Sequence, residues 1–239
     1  MKLAHLRIAC YLYNQFSDYD SKYLSLSQKY PILQLDDKAQ LIALLKWLRS
    51  WGCRQFKTDD EEISINSITK WYELNKEKLP SPTDCLADYD LTANEKPIIA
   101  LFNDLSRRQA ATKERDGNEI DVRIGPVGAA KTLFALRPNL FSPWDTPIYN
   151  ELDLKGNGSG YVVYLSKIQT ELKGLRAALM KSGVAWNDLF NLLKKRHKSY
   201  PKLIDEYYWI TITQRCDPSE IEKFIQEQNN AQQVNQGDG

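Results

Sequence analysis

The chain has 239 residues, 42% of them hydrophobic, with a net charge of +1 and four widely spaced cysteines. That is enough apolar matter for one large domain or two small ones, and the near-zero charge excludes a global field that draws the chain to nucleic acid. With no C-x-x-C pair and only His5 and His197 besides the cysteines, neither a metal site nor a cofactor is expected. No apolar run reaches membrane-span length, so a cytoplasmic protein with buried, reduced thiols and no membrane partner is expected.

In chain order, Leu3 to Phe16 reads as a helix with Leu6, Cys10 and Tyr13 on one face, and Ser21 to Pro31 as a polar, tyrosine-rich connection. Asp37 to Trp51 is the clearest helix: Leu41, Leu44, Leu45 and Leu48 recur at helical spacing, Asp36 or Asp37 can cap it, and Gly52 stops it. Ile63, Ile65 and Ile68 fit either a strand or a helix start, and Ser67 to Lys76 leans helical before Leu79-Pro80-Ser81-Pro82. Pro97 opens a helix from Ile98 to about Lys113 that buries Ile98, Leu101, Phe102 and Leu105 and turns Arg107, Arg108 and Lys113 outward. A turn at Asp116-Gly117-Asn118 leads into a short strand from Glu119 to Ile124.

After a flexible loop at Lys155 to Gly160, helices are predicted for Tyr161–Met180, Trp186–Lys198 and Lys202–Ile212, and from Pro218 with Asp217 as cap. Residues 229–239 read as a disordered polar tail. The expectation is an all-α, or nearly all-α, domain over 1–228 with at most a short strand or two. Possible subdomains are 1–96 and 97–228.

The most informative stretch is Ile124 to Ile148. Gly125-Pro126-Val127-Gly128 reads as a hairpin feeding an apolar helix with Lys131 and Thr132 near its start; the helix breaks at Pro138, and Asp145 follows Trp144. Glycines allow a close backbone approach, and free N–H groups at a helix start favour an anion.

This order resembles the core of the helix-hairpin-helix DNA glycosylases, the superfamily of endonuclease III and the adenine and 8-oxoguanine glycosylases. Their pattern is L-P-G-V-G, then x-K-T-A, then an aspartate in a context such as V-D-T-H-V. Val127-Gly128, Lys131-Thr132 and Trp144-Asp145-Thr146-Pro147-Ile148 carry the match, about a tenth of the chain. Lys131 falls one residue later than the family lysine, and the interval to Asp145 is shorter. The resemblance implies a two-subdomain helical core that flips a damaged base from DNA, with Lys131 as a Schiff-base nucleophile and Asp145 as the electrostatic catalyst. It also implies that Gly125, Val127, Gly128, Ala129 and Thr132 hold a backbone phosphate and that Trp144 lines the base pocket.

Each residue also has a plainer reading. Lys131 fits a solvated first-turn lysine, Asp145 an N-cap and Trp144 a core residue. As a nucleophile, Lys131 needs a pKa lowered by the helix dipole and burial. Arg107 and Arg108, and Lys194, Lys195 and Arg196, are the patches able to track DNA phosphates, although charge runs at helix ends are usually just solvated. The acidic pair Asp205-Glu206 fits either a core ion pair or a pocket wall.

Two other functions stand beside the glycosylase. A non-catalytic DNA- or protein-binding module would keep Lys131 and Asp145 only as surface and cap residues. Gly125 to Thr132 also fits a phosphate loop, G-x-x-x-x-G-K-[ST], except for Ala130, but that fold needs a buried parallel sheet.

Overall fold

In the computed structural model the backbone of residues 1–237 and the side chains of residues 1–227 are described. Helix makes up 63% of the chain, and the described residues hold a single two-stranded sheet. Apolar residues at helical spacing set the first elements: α1 (Leu3–Phe16) buries Leu6, Ala9, Cys10 and Tyr13, and α3 (Lys38–Ser50) buries Leu41, Leu44, Leu45, Trp47 and Leu48. Asp37 caps α3 by accepting from the amides of Ala39 and Gln40 at 2.8 and 3.2 Å, and Gly52 leaves the helix at φ +81°.

Between them, the segment expected to be a connection is α2 (Tyr19–Lys29), because Tyr23 and Leu26 fall on one helical face and are both buried. The isoleucine ambiguity resolves to helix: α4 (Glu61–Asn75) turns Ile65 and Ile68 inward. Helix α5 (Glu95–Arg107) ends earlier than its charge pattern suggests, and Lys113 instead lies on β1 (Gln109–Arg115). This strand pairs antiparallel with β2 (Asn118–Arg123), Ala111 opposite Val122, around a turn in which Asp116 and Gly117 have positive φ. The turn and the second strand lie where they were expected, whereas β1 replaces the end of the helix expected to reach Lys113.

Helix α6 (Gly125–Leu136) follows β2 directly and is buried continuously from Gly128 to Leu136. A helix apolar all round belongs in a core, and α3 and α5 pack on it. Past Pro138 the chain forms α7 (Thr146–Glu151) and the 24-residue α8 (Gly158–Lys181), which lies along α5. The stretch expected to be flexible, Lys155 to Gly160, is held at its end: Asn157 accepts from the Gly160 amide at 3.0 Å, and Asn103 Oδ1 from the Gly158 amide at 2.8 Å.

The helix expected over Trp186–Lys198 is a 3-10 turn at Trp186–Asp188 and a single turn, α9 (Leu189–Leu192). From Leu192 to Ser199 burial then alternates residue by residue, through a turn in which Lys194 takes φ +53° and a bend at Arg196-His197. Helix α10 (Tyr200–Tyr208) passes into a π-turn at Trp209–Thr213. In α11 (Pro218–Gly237) helix covers most of the expected tail; Gln and Ala there are fair helix formers and no proline interrupts them.

The cores do not divide the chain at residue 96. Leu6 and Cys10 of α1 share a cluster with Leu175, Leu179 and Leu203, and Ala9 and Tyr13 share one with Ile210.

Candidate active site

Lys131 enters the site from α6, two turns into the helix. Its Nζ lies 2.7 Å from Asp145 Oδ1 and donates to the Trp51 carbonyl at 2.8 Å, and the lysine is only 5% exposed. Asp145 occupies the N-cap position of α7, yet its side chain makes no capping bond; the backbone carbonyl alone receives Ile148 and Tyr149. The carboxylate is thereby free for Lys131 and stays about a third exposed.

The pair opens on a recess of about 10 Å³, room for one water. Tyr13, Tyr19, Trp51, Pro143, Asp205 and Trp209 form the rest of its wall. Trp209 meets Tyr13 edge-on at 5.2 Å and Tyr19 at 6.3 Å. A larger groove of about 980 Å³ lies along α1 and α11, lined among the described residues mostly by aliphatic side chains and by no carboxylate.

The electrostatics reverse one expectation. Burial pulls the Lys131 amine down, but Asp145 first, then Cys53 and Asp205, outweigh it, and the pKa is raised rather than lowered. The dipole does not help, because its effect fades beyond the first helical turn. At rest Lys131 is an ammonium bonded to the Asp145 carboxyl group. Cys53 beside it is pushed up to about 11 by burial and stays a thiol.

Other expected site residues are placed differently. Gly125 to Gly128 form the opening turn of α6, not a hairpin, because Pro126 suits an early helical position and β2 leads straight in. Gly125 does take φ +69°. A Cβ on Gly128, however, would lie 2.6 Å from Gln55 Nε2 and 2.9 Å from Ile124 Cγ2, so this glycine serves protein packing. Ala129 and Thr132 are fully buried, and Val127 is partly buried against the main core. A loop wrapped round a phosphate is excluded by the same helix, and the one sheet is antiparallel, which removes the phosphate-loop reading. Trp144 is fully buried, donates to the Pro126 carbonyl at 3.1 Å and packs among Phe102, Tyr149, Tyr161 and Tyr164; it is a core residue and no base platform.

The basic patches separate in the same way. Arg107 is exposed, and Arg108 is engaged by Asp104 at 3.1 Å. Lys194 and Arg196 face solvent, but Lys195 between them points inward. Its Nζ lies 2.8 Å from Asp20 and 2.5 Å from Glu206, in a buried cluster completed by Lys202 and His197. Asp20, His197 and Glu206 are close enough to suggest metal ligands. Two ammonium groups already balance the two carboxylates, so this donor set does not fit a cation.

The aromatic wall and the buried cluster were not visible as such in the sequence. Tyr13, Tyr19, Trp51 and Trp209 come from three distant segments, and Asp205-Glu206 ahead of Trp209 was a local hint. Both readings of that pair hold: Glu206 is the core ion partner, and Asp205 lines the recess. No family model, curated protein or solved structure matches the chain.

Proposed function

We propose that the protein is a DNA glycosylase-like enzyme that takes a flipped damaged or modified base at the Lys131–Asp145 recess. The carrying observation is one buried amine bonded to one part-exposed carboxylate, at an opening walled by four aromatic rings. A flipped base is held by stacking, and Tyr13, Tyr19, Trp51 and Trp209 supply the faces. Asp145 stabilises positive charge developing on the deoxyribose, and it accepts a proton from Lys131 so that the amine can attack C1′. At about 10 Å³ the recess is closed at rest. A base enters only if the rim moves, and Trp209, part-exposed on the π-turn, is one wall element that could swing aside.

Affinity for DNA comes from local contacts. Arg107, Lys194 and Arg196 are the exposed members of the two patches, and a net charge of +1 adds little. Borohydride trapping on duplexes bearing an abasic site tests the reading. A covalent adduct is expected with the wild type and none with Lys131→Gln. A salt-dependent gel shift with no adduct and no base release would instead mark a non-catalytic DNA-binding module.

A further inference from the structure

Asp205 is the one carboxyl group at the recess without a partner. It is 7% exposed, lines the recess together with Lys131 and Asp145, and among the described residues receives no side-chain hydrogen bond or ion pair. Its neighbour Glu206 points the other way and is fully engaged by Lys195, Lys202 and His197. Successive helical positions turn by about 100°, which is how two adjacent acids reach such different surroundings.

Resting on the glycosylase reading above, we propose that Asp205 is the general acid of base release, handing its carboxyl proton to the departing base. A buried acid with no partner holds its proton because the anion has nothing to stabilise it. Desolvation pushes Asp205 well above the carboxylate range; Lys202 pulls against this, Asp145 adds to it, Lys131 pulls down and Glu206 adds. Tyr13 on α1 and Tyr161 and Tyr164 on α8 also face it, and burial pushes all three phenols up, so none competes for charge near neutrality. Asp145, about a third exposed, is bonded to Lys131 instead. An acid that keeps its proton beside a separate amine–carboxyl pair is the arrangement that acid-assisted bond cleavage requires.

The step balances. Lys131 gives one ammonium proton to Asp145, and its freed electron pair attacks C1′. The C1′–N bond to the base breaks, its electrons pass to the base, and the Asp205 proton joins the base, which leaves neutral. A lysine–sugar adduct bearing one positive charge and an Asp205 carboxylate remain. Opening of the sugar ring, with the nitrogen's proton passing to the ring oxygen, gives the iminium that borohydride reduces.

Three duplex probes separate this role from the underlying reading: one with an abasic site, one with 8-oxoguanine and one with N7-methylguanine, whose base is already cationic and departs without a proton. Asp205→Asn should trap on the abasic duplex like wild type, lose about 100-fold or more in release of 8-oxoguanine, and keep release of N7-methylguanine within a few-fold. Wild-type release of 8-oxoguanine should fall as pH rises through the Asp205 pKa, a limb absent from abasic-site trapping. Asp205→Glu, which keeps an acid, should keep that limb. If the Asn variant does not fold, the limb carries the test, and its absence from the wild type overturns the proposal. Equal loss of both bases in Asp205→Asn, or wild-type trapping with release of neither base, also overturns the acid role while leaving the lysine chemistry standing. No adduct on any probe removes the glycosylase reading itself.

Discussion

His197 Nε2 lies 2.9 Å from Glu206 Oε1, the same oxygen that Lys202 reaches at 3.0 Å, while Lys195 closes on the other oxygen at 2.5 Å. Burial alone would raise the Glu206 pKa; Lys202, Lys195 and His197 reverse this and hold it below its ordinary 4.5. A lowered pKa means stability that is fully present above the unfolded value and lost as pH falls through the folded one. Chemical denaturation from pH 7 to pH 3 should therefore show a loss that begins below about pH 4.5 in the wild type and is blunted in Glu206→Gln. That variant should be weaker by about 3–5 kcal/mol at pH 7, because two buried ammonium groups keep only Asp20.

Asp205 carries the opposite sign. Its raised pKa contributes stability below the unfolded value of 3.8 and costs stability as pH rises towards the folded value. Asp205→Asn should match the wild type near pH 4 and melt at a higher temperature by pH 8. A variant that loses activity and gains stability identifies a side chain kept for chemistry. Equal melting temperatures across that range would show that the acid is not strained by its site.

For the Lys131–Asp145 pair, a double-mutant cycle is informative. Asp145→Asn should cost about 1–3 kcal/mol, the lower range reflecting a partner that is a third exposed. Lys131→Met in that background should recover part of the loss, because the stranded ammonium is gone. Urea denaturation of the four proteins measures the coupling, and additive costs would show that the two side chains do not interact.

Helix α8 contains its own control. A Cβ on Gly158 would lie 2.6 Å from the Ile99 carbonyl oxygen of α5, whereas one on Gly174 would meet nothing within 4 Å. Gly158→Ala should destabilise by about 1–3 kcal/mol and Gly174→Ala should stabilise by about 0.5–1 kcal/mol. Thermal melts of the two variants that shift together would contradict the close approach of α5 and α8.

Single substitutions along the basic run should alternate. Lys195→Ala should unfold or strongly destabilise the protein, while Lys194→Ala and Arg196→Ala leave stability unchanged and reduce the salt slope of DNA binding by about one each. Gel shifts across a salt series read the second effect, and unchanged slopes would show that these two residues do not contact DNA.

The helices that carry apolar residues at regular spacing were legible in the sequence, as α1, α3 and α8 show. The connection over α2 was not, because only Tyr23 and Leu26 mark its inner face among polar residues. Glycine and proline misled at α6: Gly-Pro-Val-Gly has turn composition, but a proline suits the first turn of a helix as well as a hairpin. The meeting of Lys131 with Asp145 was readable as an order of residues, since both lie within 14 positions of each other. The rest of the recess was not, because Tyr13, Trp51 and Asp205 come together only through the packing of α1, α3 and α10. Lys195 shows the same limit: nothing in a run of five basic residues says which alternate members turn inward once the helix has ended.

The ion cluster joins Asp20 to Lys195 across 175 positions, and α1 finds its apolar partners, Leu179 and Leu203, equally late in the chain. On the ribosome, α1 emerges well before the helices that cover it, α10 and α11. Native pairing of this region must therefore wait until synthesis has passed α10, and such distant closure makes for slow folding with a prolonged need for chaperone protection.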